Sequence, residues 1–263
     1  VEIVVCIKQV PDTETRIKLK PDGSGIDTEG IKWIISPYDE FAVEEGLRIK
    51  EKLGGTVTIV SLGPKRAIEA IRTALAMGAD KAIHLSDTAY ETFDTYAQAL
   101  ALANAIKTIP HDIILCGRQA IDDDSAQVPS MIAEFLGVPQ ANFVIKLEVS
   151  ADKKAIAYRT IEGGAQEVIE MALPGVIAVT KGINEPRYAS LPGIMKAKQK
   201  KVDELTPDKI GLDANSVGEK GAKTKVLKYS LPPERKAGKV IQADFPENVK
   251  QLVKLLREEA KII

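Results

Sequence analysis

Residues 117–127 read Gly-Arg-Gln-Ala-Ile-Asp-Asp-Asp-Ser-Ala-Gln and set three adjacent carboxylates, Asp122, Asp123 and Asp124, between a short apolar run and a helical pattern. The amides that open a helix favour an anion. Adjacent acids suit a hydrated or capping cluster, or a hard divalent cation whose remaining ligands come from phosphate or water. They define no separated acid and base pair of the glycosidase kind. Two further loops have useful chemistry. Lys8-Gln9-Val10-Pro11-Asp12 reads as a solvated turn or a ligand loop, and Ser61-Leu62-Gly63-Pro64-Lys65 turns the backbone tightly toward a helix start.

The remaining reactive side chains are sparse. Cys6 and Cys116 both lie in apolar runs, which predicts buried, unreactive thiols. His84 and His111 fall in no metal-ligand spacing with them. No Gly-x-Gly-x-x-Gly follows the first apolar run, and no Gly-Lys-Ser/Thr loop occurs. Any chemistry then belongs to a bound cofactor or to a partner.

Strand-like runs at 2–7, 56–62, 81–85 and 112–116 alternate with helical patterns at 38–53, 67–77, 95–107 and 127–136, two of them closed by Gly78 and Gly137 and one opened after Gly63-Pro64. This alternation predicts an α/β fold, a three-layer mostly parallel sheet with helices on both faces. Ligands of such sheets sit at the loops beyond the strand C-termini, where all three loops above fall. Runs at 142–148, 155–160 and 167–171 are separated by short turns and predict an antiparallel extension, and 176–180 reads as one more buried strand.

After Asn184 the composition turns basic, with Lys196, Lys198, Lys200 and Lys201, then a second basic stretch at 220–239 and a helical pattern at 247–259. The chain therefore divides into an α/β domain at 1–183, a loop region at 184–201 and a C-terminal segment at 202–263, which reads as a flexible extension or, preferred for its helical end, as an arm that orders on another subunit.

The 263 residues carry 36 Lys and Arg against 37 Asp and Glu, a balance that argues against a nucleic-acid coat or a polybasic membrane anchor. The first apolar run lacks a preceding basic region, and no apolar stretch approaches the roughly 20 residues of a membrane span. The expectation is a soluble, cytoplasmic protein.

Five blocks taken together resemble the beta subunits of electron transfer flavoproteins. They are Val4-Val5-Cys6-Ile7-Lys8-Gln9-Val10, Pro37-Tyr38-Asp39-Glu40-Phe41-Ala42-Val43-Glu44-Glu45, Arg72-Thr73-Ala74-Leu75-Ala76-Met77-Gly78-Ala79-Asp80, Arg118-Gln119-Ala120-Ile121-Asp122-Asp123-Asp124, and the stretch from Asn184-Glu185-Pro186-Arg187 through Leu191-Pro192-Gly193-Ile194-Met195-Lys196-Ala197-Lys198. They occur in the family's order, and Glu162-Gly163-Gly164 before Leu173-Pro174 is similar to its signature.

The resemblance implies an adenine-nucleotide-hydrolase-like fold. It also implies a heterodimer whose alpha subunit holds most of a redox FAD, with a structural AMP in this chain. Such a carrier takes electrons from acyl-CoA or related dehydrogenases and passes them to a quinone oxidoreductase. The implied AMP pocket uses Cys6, Ser36, Pro37, Asp39, Leu62, Asp123, Ala126, Gln127 and Val128; the implied docking residues are Leu191, Pro192, Ile194, Met195, Lys196 and Lys198.

Ser36 stands where the family usually has Asn, and Ala126 and Val128 replace polar residues of AMP-binding members. Ser125-Ala126-Gln127-Val128 is closer to electron-bifurcating members, which oxidise NADH and hold a second FAD here. The 72–80 block and the Asp triplet favour AMP. A third alternative from another class is a nucleotide-binding module of the universal-stress type, which needs no partner flavin.

Overall fold

The structure is a computed structural model and describes residues 1–87, 94–233 and 237–263. Its elements in chain order are β1 (Glu2–Ile7), β2 (Gln9–Pro11), β3 (Trp33–Ile35), α1 (Pro37–Leu53), β4 (Thr56–Leu62), α2 (Ile68–Met77), β5 (Lys81–Leu85), α3 (Thr95–Lys107), β6 (Ile113–Gly117) and α4 (Val128–Leu136). There follow β7 (Gln140–Val149), β8 (Lys154–Thr160), β9 (Gln166–Ala172), β10 (Gly175–Val179), α5 (Leu191–Gln199), β11 (Val202–Glu204), the single turn α6 (Gly218–Gly221) and α7 (Glu247–Glu258).

The main sheet has the order β11-β5-β4-β1-β6-β10-β7-β8-β9, and β2 pairs with β3 in a small antiparallel ribbon. From β11 through β10 to β7 every neighbouring pair is parallel. Only the pairs β7–β8 and β8–β9 are antiparallel, which is the extension expected from the closely spaced runs. The fold is thus the three-layer, mostly parallel α/β arrangement.

Both faces of the central strands are covered, so their residues are buried without alternation. On one face Ile3, Val5, Ile59, Leu115 and Ile177 pack with Val43 and Leu47 of α1 and Ile71 and Leu75 of α2. On the other, Val4, Val60, Ile114 and Val176 pack with Leu102 and Ile106 of α3 and Ile132 of α4. Burying a side chain of this size contributes roughly 1.5–3 kcal/mol each, so the sheet is the main source of stability. No helix among the described residues is long and apolar enough to cross a membrane.

The chain forms two compact units, one of Val1–Lys18 with Asp27–Leu227, the other of Leu19–Ile26 with Lys228–Ile263. Residues 202–227, grouped with the arm by composition, contribute to the larger unit. β11 extends the sheet beside β5, Leu205 N donates to His84 O at 3.0 Å, and Ile210 and Val217 join the buried core. In the smaller unit, α7 has no buried residue, and Val240 and Phe245 are 83% and 82% exposed. Residues 234–236 of the second basic stretch lie outside the described residues.

Candidate functional site: the crevice between β1 and β6

The strand order reverses at β1, with β4 on one side and β6 on the other. Loops leaving β1 and β6 therefore diverge above the sheet and leave a crevice, the preferred ligand position of such folds. Asp39, in the first turn of α1, spans its floor. One carboxylate oxygen accepts from Lys8 N at 2.7 Å and the other from Gly117 N at 3.0 Å, so a single side chain ties the C-terminal ends of β1 and β6 together. Burial pushes the Asp39 carboxyl up to about 7, against the backbone donors and the Lys8 charge.

Gly117 permits this closeness, because a Cβ there would overlap the Asp39 carboxylate and the Tyr38 backbone. Lys8 then closes the crevice from the other side. Its Nζ donates to Asp122 at 2.7 Å and to Asp123 at 3.0 Å, joining the loops after β1 and β6. Burial opposes the Lys8 charge, but the two carboxylates outweigh it and hold its pKa above the ordinary lysine value. Burial likewise opposes ionisation of Asp123, and Lys8 with the Ser125 amide still holds it below the usual carboxylate range.

The acid triplet is thereby spent on protein partners, since Asp124 accepts from Gln119 Nε2 at 2.6 Å. Among the described residues no group of His, Cys, Asp and Glu is arranged to hold a metal ion. The loop carries strain: Asp124 and Ala126 have φ of 50° and 53°, a left-handed conformation costing non-glycine residues about 1–2 kcal/mol each. That turn brings Gln127 to Thr95, whose hydroxyl donates to its Oε1 at 2.7 Å, and aims the α4 N-terminus, starting at Val128, at the crevice.

The other residues named from the sequence lie at the same edge. Cys6 faces Cys116 across β1 and β6 in register, and both are buried free thiols. The Cys116 thiol donates a hydrogen bond to Cys6, and this with burial pushes its pKa well above the usual range, which removes it as a nucleophile. Leu62 ends β4. Ser36 precedes α1, with Pro37 and Asp39 in its first turn, and Ser36 N donates to Lys8 O at 2.9 Å. Two buried hydroxyls here have no protein partner, Ser36 Oγ and Ser61 Oγ, the latter at the head of the Ser61–Lys65 loop. Ser61 lies in register between Ile7 and His84 at the same strand ends.

The second set of candidate residues is brought together on α5, away from the strand ends. Ser190 caps this helix by accepting from Gly193 N at 3.1 Å, and Pro192 sits in the first turn, where a missing N–H costs nothing. Leu191 is 74% exposed, and Pro192, Ile194, Met195, Lys196 and Lys198 are exposed as well, while Ala197 is buried.

Sheet order defines a doubly wound α/β protein with its switch point between β1 and β6. The chain belongs to the electron transfer flavoprotein family, on its beta-subunit branch: the family's domain model matches residues 24–210. It is 46% identical to the electron transfer flavoprotein subunit beta of Thermoanaerobacterium thermosaccharolyticum over 97% of both chains. It is 42% identical to that of Bacillus subtilis over 99% of both. With the Homo sapiens subunit it shares 40% identity over 99% of this chain and 98% of the other. This membership displaces the universal-stress alternative.

Proposed function

We propose that the chain is the nucleotide-holding subunit of a heterodimeric electron carrier. In this reading an alpha subunit holds the redox FAD, this chain buries an AMP in the crevice between β1 and β6, acyl-CoA or related dehydrogenases donate electrons, and a quinone oxidoreductase accepts them. The observation that carries it is the pair of buried, unpartnered hydroxyls of Ser36, beside the loop after β1, and Ser61, near the end of β4 next to the switch point. A buried polar group left unpaired costs about 1–3 kcal/mol, and a polar ligand at this edge removes that cost. The residues fit a nucleotide: the α4 amides suit a phosphate, and the Lys8 ammonium offsets Asp122 and Asp123.

FAD, when bound, supplies the reversible storage of electrons. This chain's residues supply order and access. Asp39 and Gly117 fix the spacing of the strand ends, and α5 presents an apolar surface to a donor.

Nucleotides released from the denatured heterodimer test the assignment. One FAD and one AMP per heterodimer are expected. Two FAD and no AMP would favour the bifurcating alternative, which draws on the absence of polar side chains at Ala126 and Val128. A colourless homodimer would contradict both.

Docking gives a second expected result. Leu191→Ala should weaken binding of the donor dehydrogenase by about 2 kcal/mol or more, chiefly through faster dissociation, if this exposed leucine fills a pocket on the partner. Replacing Lys196 or Lys198 should instead change the association rate and its salt dependence. Stopped-flow reduction of the heterodimer separates the two effects, and an unchanged rate in the Leu191 variant would remove α5 from the docking site.

A further inference from the structure

The helix α5 is held at both ends by arginines that neither the crevice nor the exposed apolar residues explain. Arg187 grips α1. Its Nε donates to Glu44 Oε2 at 2.7 Å and Nη2 to Glu44 Oε1 at 3.1 Å, while Nη1 and Nη2 donate to the two oxygens of Glu51 at 2.6 and 3.1 Å. The Arg187 backbone N also donates to Glu44, at 3.2 Å. Glu44 is 2% exposed and takes a further bond from Arg48 Nε at 2.9 Å.

Three residues upstream, Asn184 Nδ2 donates to Phe41 O at 3.0 Å and Glu45 Oε2 at 2.9 Å. The strap from β10 is therefore fastened to α1 along its length. At the far end of α5, Arg72 Nη1 donates to the carbonyls of Ala197 and Lys200 at 2.5 Å each, and Lys200 Nζ donates to Ala79 O. Gly193 rests on the α2 backbone so closely that a Cβ would overlap Ala76 O. Against this fixed inner side, Leu191, Ile194 and Met195 all face solvent.

We propose that Arg187 is a positioning residue for donor docking, setting the orientation in which α5 offers Leu191 to its partner. The inference rests on the docking reading given above. Only residues 188–190 separate Arg187 from Leu191, and Ser190 is committed to the helix cap, so little slack remains between clamp and anchor. An anchor held in its bound orientation escapes the ordering cost that a loose one meets on binding. Paired carboxylates around a guanidinium also match its planar fork, which a lysine ammonium cannot reproduce. Burial opposes ionisation of Glu44, yet Arg187 and Arg48 hold its pKa below the usual range, so the clamp stays charged at neutral pH.

A double-mutant cycle on the intact heterodimer tests the proposal, with an acyl-CoA dehydrogenase reduced by its substrate as the probe and the dissociation rate as the readout. Arg187→Lys should speed dissociation about tenfold when Leu191 is present and less than twofold in the Leu191→Ala background. Where Arg187→Lys lowers the melting temperature or the nucleotide content, Glu51→Gln, which spares the buried Glu44 pair, should show the same dependence on Leu191 with a smaller effect. Equal effects in both backgrounds, or none in either, would overturn the positioning role and leave the docking reading standing. A Leu191→Ala variant with unchanged dissociation would overturn the docking reading itself and the proposal with it.

Discussion

Asp39→Asn should gain stability relative to the parent chain as pH rises, by roughly 2–3 kcal/mol between pH 5 and pH 8. Burial raises the folded-state pKa of Asp39 from the ordinary aspartate value of 3.8 to about 7. A raised carboxyl contributes stability that is fully present below pH 3.8 and is lost as pH climbs through about 7. The asparagine does not titrate, so the difference between the two chains should follow that loss. Urea unfolding at fixed nucleotide occupancy measures it, and a difference that is flat or moves the other way would contradict the assignment.

Function should move in the opposite sense. The carboxylate offers one oxygen to Lys8 N and one to Gly117 N, whereas a carboxamide has a single acceptor. Nucleotide occupancy should therefore fall in Asp39→Asn even where stability improves, a trade expected at a preorganised site.

Removing residues 228–263 should abolish assembly with the alpha subunit and leave the sheet unit folded. Those residues lie in the smaller compact unit, and the helix within it exposes Val249 and Leu252 with no core of its own beneath. On the arm reading, apolar side chains of this kind, with Val240, Ile241, Val253, Leu255 and Leu256, bury against another chain to repay ordering. A cut after Lys201 should do additional harm, because it also removes β11 and the buried Ile210 and Val217. Co-purification and thermal melting of the two truncations distinguish these outcomes. A chain ending at Leu227 that still formed a tight, flavin-loaded heterodimer would remove the argument for an arm.

The strands and helices of the parallel sheet were legible in sequence because each central strand is buried on both faces and so appears as an unbroken apolar run. Gly78 and Gly137 mark helix ends for a similar reason: their φ values of 137° and 67° are ones other residues adopt at a cost. Several elements escaped, among them α5, β11 and the β2–β3 ribbon. α5 begins Leu191-Pro192-Gly193, a loop-like composition that is tolerated only because it falls in the first turn. β11 is three residues at the sheet edge, too short to carry a period.

The crevice was partly legible. Its loops could be placed from strand order, but the bond between Lys8 and Asp122 joins positions 114 residues apart. Asp39, Ser36 and the docking residues came into view only through resemblance to a family. Arg187 gave no local sign of its role, since its partners Glu44 and Glu51 lie on α1, 143 and 136 residues earlier, and pattern like any solvated acids.

The open sheet ends in β11 on one side and β9 on the other, and these rims differ in the hazard they present during biosynthesis. β11 is short and bears Asp203 and Glu204 beside Lys201, features that discourage a foreign strand. β9 runs for seven residues with Val168 57% exposed, and among the described residues β8 is its one strand neighbour. Its guards are Glu167 and Glu170, both already matched by Arg159 and Lys154 of β8. A ribosome that releases this chain ahead of its partner thus leaves one template for intermolecular strand addition.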